Sequence, residues 1–491
     1  MQLEYFDGTK IGQLVNSKEI SPVEIIQYFA DRIEKRNPTV NAFTYTKIDE
    51  ALEDAKSLEH KIMKDEYVGP FAGVPVGLKD FLPSKKGWTN SHGGVKHLIC
   101  VDTEDSTFYA SAKALGAIAI GKTNAPAFGF SGCCQNTLYG TTCNPFDTNR
   151  TSGGSSGGTA AAVADGLIAF GEGGDAGGSI RIPSGWCNLF GFKPSVGTVP
   201  SYCRPDGWAA THPYCFNGVL SKSVRDSALM LNNMAQYNPK DPISLPINSN
   251  KDFLELMNNS IKEMKIGLTY DFDMYEVDER IKKIIESTAK LLEEAGAYVD
   301  IVHFNFKHTV DEIMYCWCWA ISVDTALDLA MWKENGLDLV KDYREELPED
   351  FIKFNEIASK ASIFDMREFN EIRTDILDNF ENVFTNFNAI ISPTAICPPM
   401  LNSDNGRCLK VNDKILNPEL NFISFAETPL ANFVGYPSAS IPAGLIDSKL
   451  PSGLQVICPK YKDEDIFVIA RTLEEVQPWY SNYALALNRI I

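Results

Sequence analysis

The stretch Gly153-Gly154-Ser155-Ser156-Gly157-Gly158, followed by Gly177-Gly178-Ser179-Ile180-Arg181-Ile182-Pro183, constrains this chain more than any other feature. It sets three serines in two glycine-rich turns, with an apolar segment, Ala160 to Phe170, between them. Glycine lets the backbone approach a ligand closely and take angles closed to other residues. A serine hydroxyl can attack, relay a proton or donate a hydrogen bond. Two such turns read as two walls of a reaction site. A flexible glycine-serine linker is the competing reading, but linkers are long and lack interleaved apolar residues.

Composition bounds the function classes. The chain of 491 residues is 44% hydrophobic and 22% charged, ordinary for a globular protein. Its 45 basic and 64 acidic residues leave a net charge of −19, so the electrostatic footprint of a nucleic-acid binder is missing. The start, Met1 to Gly8, lacks the basic and then apolar blocks of a signal peptide. No apolar run approaches the roughly 20 residues that span a bilayer. Twelve cysteines are scattered without a C-x-x-C pair, and neither Cys133-Cys134 nor Cys316-x-Cys318 has zinc-ligand spacing. The expectation is a cytoplasmic protein in a reducing compartment.

The pattern along the chain is mixed α/β. Ser21-Pro22-Val23-Glu24 is a capping box with proline at the first helical position. It opens an amphipathic helix carrying Ile25, Ile26, Phe29 and Ile33. A helix is expected over about Ile48 to Met63, a buried strand over Gly73 to Leu78, a helix over Phe108 to Leu115 and a strand over Ala117 to Ile120. Ala160 to Ala164 reads as a small-residue helix able to pack closely on a sheet. Beyond about Leu245 the composition shifts toward Lys, Glu, Asp and Asn. There a helix is expected over Glu279 to Leu292 and a strand over Val299 to Ile301, then a helical block from about Asp311 to Phe387. Strands return at Ala389 to Ser392 and Leu454 to Ile457. These readings give one α/β body, with a mixed sheet drawing on both ends of the chain and a helical insertion between them.

Two motif matches fail on context. Gly116-Ala117-Ile118-Ala119-Ile120-Gly121-Lys122-Thr123 satisfies the P-loop pattern, but its centre alternates like a buried strand rather than an open phosphate turn. Gly154-Ser155-Ser156-Gly157-Gly158 fits the Gly-x-Ser-x-Gly elbow of α/β-hydrolases, which needs a later acid and then a histidine base. Of six histidines only His212, His303 and His308 follow, none in a setting that marks it as a base. Lysine is the other base a serine can use, when burial holds it neutral. Lys79 ends an apolar strand and is a candidate, although a solvated lysine at a strand exit would be the ordinary reading of such a residue alone.

The motifs taken together resemble the amidase signature family. They are Gly73-Val74-Pro75-Val76-Gly77-Leu78-Lys79-Asp80, Gly121-Lys122-Thr123-Asn124, Asn144-Pro145-Phe146, Gly153 to Gly158, Asp175 to Pro183 and Gly191-Phe192-Lys193-Pro194-Ser195. Later come Ser221 to Asp226, Gly435-Tyr436-Pro437 through Gly444, and Gly453-Leu454-Gln455-Val456. The resemblance implies an amidase signature fold: a mixed central sheet covered by helices on both faces, in a single domain over 1–491. Its catalytic core would span about 65–235, a variable helical region about 245–387, and a segment over 388–491 would return to the core sheet.

In that family a lysine, a serine in a cis peptide and a nucleophilic serine 24 positions later act together. By motif these are Lys79, Ser155 and Ser179. The resemblance implies that neutral Lys79 takes a proton from Ser155, which takes one from Ser179 as it attacks the amide carbonyl to form an acyl-enzyme. Ser156 would be a hydrogen-bonding neighbour. The backbone amides of Ala176, Gly177, Gly178 and Ser179 are candidates for the oxyanion site, and Asp175 and Arg181 for a brace. Gly174 stands where the family usually has Thr or Ser. No cofactor and no metal is implied. The expected partner is a small-molecule amide, linear or cyclic, and a homodimer is compatible with the pattern.

The family also contains the A subunit of glutamyl-tRNA(Gln) amidotransferase, which typically carries Met-Asp-Glu-Phe after the Lys-Thr-Asn motif. Here Lys122-Thr123-Asn124 is followed by Ala125-Pro126-Ala127-Phe128-Gly129-Phe130-Ser131. That segment looks more like the stand-alone acyl and fatty-acid amide hydrolases, and the layout is similar to bacterial 6-aminohexanoate cyclic-dimer hydrolases. Phe130, Ser131 and Cys133 are then expected along the acyl side of the pocket, with Cys316 and Trp317 as another wall.

Overall fold

The computed structural model describes residues 1–81, 84–201, 203–204 and 206–490. Eleven strands form one mixed sheet among the described residues. In chain order they are β1 (Phe43–Thr46), β2 (Pro75–Lys79), β3 (Ile118–Thr123), β4 (Phe170–Asp175), β5 (Phe190–Lys193) and β6 (Phe216–Ser221). The second half supplies β7 (Lys265–Leu268), β8 (Tyr298–Ile301), β9 (Ala389–Pro393), β10 (Ser438–Ile446) and β11 (Leu450–Ile457). Their order is β1-β3-β2-β4-β6-β5-β10-β11-β9-β7-β8, so the joint between the chain's two halves is the antiparallel β5·β10 pair. The fold is α/β.

Helices named below are α1 (Pro22–Val40), α2 (Gly157–Ala164), α3 (Arg181–Trp186), α4 (Glu279–Glu294), α5 (Val310–Glu334), α6 (Glu349–Ala358), α7 (Ile363–Phe384) and α8 (Pro429–Val434). The capping box of α1 is closed on both sides: Glu24 N–H donates to Ser21 Oγ at 3.3 Å and Ser21 N–H to Glu24 Oε2 at 2.9 Å. Ile25, Ile26, Phe29 and Ile33 of α1 are buried. α2 is buried along its whole length, as its run of alanines and glycines permits. The P-loop look-alike forms the fully buried β3, and its Lys122 is engaged 2.9 Å from Asp102, closed to any phosphate.

Two apolar cores result. One runs along the sheet and takes in α2, α4 and the apolar face of α1. The other lies among α5, α6 and α7 and is dominated by phenylalanine and tryptophan. The expected helical block over Asp311 to Phe387 forms as several helices around their own core. Among the described residues no helix is long and apolar enough to cross a membrane, and all twelve cysteines are free thiols.

Candidate active site

Three neighbouring strands, β3, β2 and β4, run parallel, with Lys79 opposite Thr123 and Val76 opposite Phe170. Their carboxyl ends therefore open at one edge of the sheet, the usual place for a ligand crevice in such folds. Lys79 ends β2 and Asp175 ends β4, so strand order alone brings the two segments together.

Lys79 is 3% exposed, because β2 is covered along its whole length. Burial lowers its pKa to about 8, with the Cys134 thiol and the Asp175 and Glu172 carboxylates pulling the other way. Its Nζ lies 2.7 Å from Ser155 Oγ and 3.5 Å from the Gly174 carbonyl. The Gly154–Ser155 peptide is cis. Ser156 staples the two glycine-rich turns: its N–H donates to the Ser179 carbonyl at 3.2 Å, and its Oγ accepts the Gly174 N–H at 3.3 Å. Ser179 is half-buried and lines the same cavity as Lys79 and Ser155.

The turn that carries Ser179 is held from beneath. Asp175 accepts the N–H groups of Gly178 (2.7 Å) and Ile180 (3.2 Å), and Arg181 grips both its oxygens at 2.9 and 3.0 Å. Both side chains are fully buried. Burial pushes the Asp175 carboxyl up, but the Arg181 charge outweighs it and holds the group below the usual carboxylate range. Arg181 also donates to the Thr428 carbonyl, Gln455 Oε1 and Asn432 Oδ1 at 2.8, 2.7 and 2.5 Å. Removing one partner of such a pair strands a buried charge. Arg181→Met should therefore destabilise the protein by about 3–5 kcal/mol, read by chemical denaturation. A loss below about 1 kcal/mol would mean that the pair is not what braces the turn.

Two donors from distant segments set the peptide planes of this turn. Trp317 Nε1 donates to the Ala176 carbonyl at 3.0 Å, and Thr428 Oγ1 to the Gly177 carbonyl at 2.7 Å. In a trans peptide the C=O and N–H point opposite ways. Anchoring Gly177 O on Thr428 thus aims the Gly178 N–H at Asp175, and anchoring Ala176 O on Trp317 turns the Gly177 N–H away from Trp317. The N–H groups of Ala176, Gly177 and Ser179 have no acceptor among the described residues, whereas that of Gly178 is committed. Gly178 has φ +120°, and a β-carbon there would sit 1.9 Å from Thr428 Oγ1, so no side chain fits.

The cavity measures about 200 Å³, and Phe81, Phe128 and Trp317 give it an apolar wall beside the polar groups. Of the expected pocket residues, Trp317 lines it; Phe130, Ser131, Cys133 and Cys316 do not. Phe130 is 3% exposed and packs in the helical core, its ring centre 5.6 Å from that of Phe351 and 5.9 Å from that of Phe422. The wall position belongs to Phe128, two residues earlier. A β-carbon at Gly154 would sit 2.7 Å from backbone atoms of Ser131 and Cys133, so these two residues close the space beside that glycine rather than line the cavity. Cys316 faces a separate groove beside Trp319. Two further site residues are Phe81 and Thr428: Phe81 follows Lys79 by two residues, just past the end of β2, a signal the sequence offers, while nothing near Thr428 in the chain marks it. His212 also lines the cavity, with Nδ1 2.9 Å from Thr211 Oγ1, and has no hydrogen bond to Ser155 or Ser179.

A family model described as Amidase matches residues 24–467. The chain belongs to the amidase family. It is an amidase signature enzyme acting on C–N bonds. A bacterial aryl acylamidase of the amidase signature family superposes with a TM-score of 0.94 at 34% identity, covering 99% of each chain. The 6-aminohexanoate cyclic dimer hydrolase, complexed with its substrate, gives 0.86 at 23% identity over 99% of this chain and all of that one, a likeness of fold. Among sequence relatives, the A subunit of the glutamyl-tRNA(Gln) amidotransferase of Carboxydothermus hydrogenoformans is 30% identical over 492 residues, covering 97% of this chain and 98% of that protein.

Proposed function

We propose that this amidase acts alone, hydrolysing a carboxylic amide to an acid plus ammonia or an amine. The observation that carries the amide-cleaving chemistry is the 2.7 Å contact between a buried, pKa-depressed Lys79 and Ser155, in the cavity that Ser179 also lines. Neutral Lys79 draws a proton from Ser155, and Ser155 draws one from Ser179 as its Oγ attacks the amide carbon. The oxygen that becomes anionic is held by the N–H groups of Ala176, Gly177 and Ser179, with Gly178 spent on Asp175; preorganised donors of this kind are the largest single aid to acyl transfer. The proton then returns along the relay to the leaving nitrogen, which cannot depart as an anion. Water, deprotonated through the same relay, attacks the Ser179 ester and frees the acid.

The 34% identity and whole-chain superposition with an aryl acylamidase support a stand-alone hydrolase. The 30% identity with an amidotransferase component favours the second reading, a glutaminase that works inside a complex. A panel of anilides, primary aliphatic amides, aryl amides and cyclic amides decides between them. The purified chain is expected to release amine or ammonia from at least one, without ATP, metal or partner. Silence across the panel, with ammonia released from glutamine only after companion chains and charged tRNA are added, moves the assignment to the amidotransferase.

A further inference from the structure

The catalytic cavity contains one charge that the amide chemistry leaves unused. Asp175 is committed to Arg181 and Lys79 to Ser155, while Asp324 lines the same cavity, half-buried, with no hydrogen-bond or ion-pair partner among the described residues. It belongs to α5, which presents Trp317, Ile321, Asp324 and Thr325 to the cavity, one face of a helix by their spacing. Trp317 grips the Ala176 carbonyl at the turn that carries Ser179. At about 1.5 Å per residue, Asp324 stands roughly 10 Å further along the helix. Between the two lies Ile321, so an acyl or alkyl chain running along this face meets apolar contacts and then a carboxylate.

A carboxylate in a partly dry wall with no partner is costly to ionise, so it holds a proton more tightly until a cation takes the proton's place. Asp206 and Asp328 are near enough to add to the negative potential there, and with burial as the larger cause they push Asp324 up to about 7. We propose that the preferred substrates are amides bearing a second, protonated amine, held by Asp324, which stands about two helical turns along α5 from Trp317. The proposal rests on the reading that Ser179 cleaves an amide in this cavity.

Matched substrates test it: hexanoyl against 6-aminohexanoyl p-nitroanilide, and N-hexyl- against N-(6-aminohexyl)benzamide. A hydrogen bond to a charged group predicts kcat/KM about 10- to 100-fold higher for the cationic member of at least one pair, chiefly through KM. In Asp324→Asn that ratio should collapse to within a few-fold of one, and Asp324→Glu should restore part of it. Cleavage of the neutral members with no cationic preference, or a preference that Asp324→Asn leaves in place, overturns this inference and spares the amidase reading. If no amide is cleaved, the amidase reading falls, and calorimetry with hexylammonium against hexanol still decides the cation site. Wild type should bind hexylammonium at least tenfold more tightly than Asp324→Asn does; equal binding overturns it.

Discussion

Ser179→Ala is expected to abolish turnover, with kcat falling on the order of 10⁵–10⁶. The size follows from the cavity's layout. The Ser155 hydroxyl is engaged by Lys79 and that of Ser156 by Gly174, whereas the Ser179 hydroxyl has no partner among the described residues and sits on the turn with the open N–H groups. Without it no ester can form, and what remains is binding beside an oxyanion site. A fluorophosphonate probe followed by peptide mapping gives an independent reading: label on Ser179 is expected, and label on Ser156, or on no serine, sinks the assignment.

Lys79→Ala should lower kcat on the order of 10⁴, and the intact lysine should write itself into the pH profile. The base must be neutral to act. Its pKa lies at about 8 instead of 10.5, so the neutral fraction grows as pH rises and saturates above that value. Below it, kcat/KM should drop about tenfold per pH unit, since that limb reports the free enzyme's base. A surface lysine would keep the limb more than two units higher, so a profile still rising at pH 10 would show that burial is not what tunes the group. His212→Ala should leave this limb where it is. If instead it proved as damaging as expected for Lys79→Ala, while Lys79→Ala stayed active, the histidine-dependent elbow would be the better account.

The regular elements with ordinary signals were legible in the chain. The capping box at Ser21 and the helix Ile48–Met63 form as the pattern predicts, and the strand expected near Ala117 forms at Ile118–Thr123. β4 was not foreseen as a strand. Its sequence, Phe-Gly-Glu-Gly-Gly-Asp, has no β-branched residue, and it is extended because β2 and β6 pair with it on either side. β5 and β10 likewise fall in motif segments that the sequence pattern does not mark as strands. Lys79 shows the same limit at the site: taken alone it looks like a solvated lysine, and only its strand's place in the sheet buries it. The cavity wall was the least legible part. Whether Phe128 or Phe130 faces the cavity depends on a turn with φ +53° at Phe128, a backbone choice that residue spacing does not encode.

The bracing of the Ser179 turn carries a consequence for how the protein is born. Arg181 reaches Gln455, 274 residues away, and Thr428 reaches Gly177 across 251. At ribosomal speeds of about 5–20 residues per second, Gln455 is synthesised roughly 14–55 s after Arg181. Through that interval the nascent chain holds its serines and its lysine but lacks the groups that aim them. A stalled or truncated product ending before Thr428 is therefore expected to be inert toward amides, so the cell meets this nucleophile in working order only once the segment carrying Thr428 and Gln455 has been made.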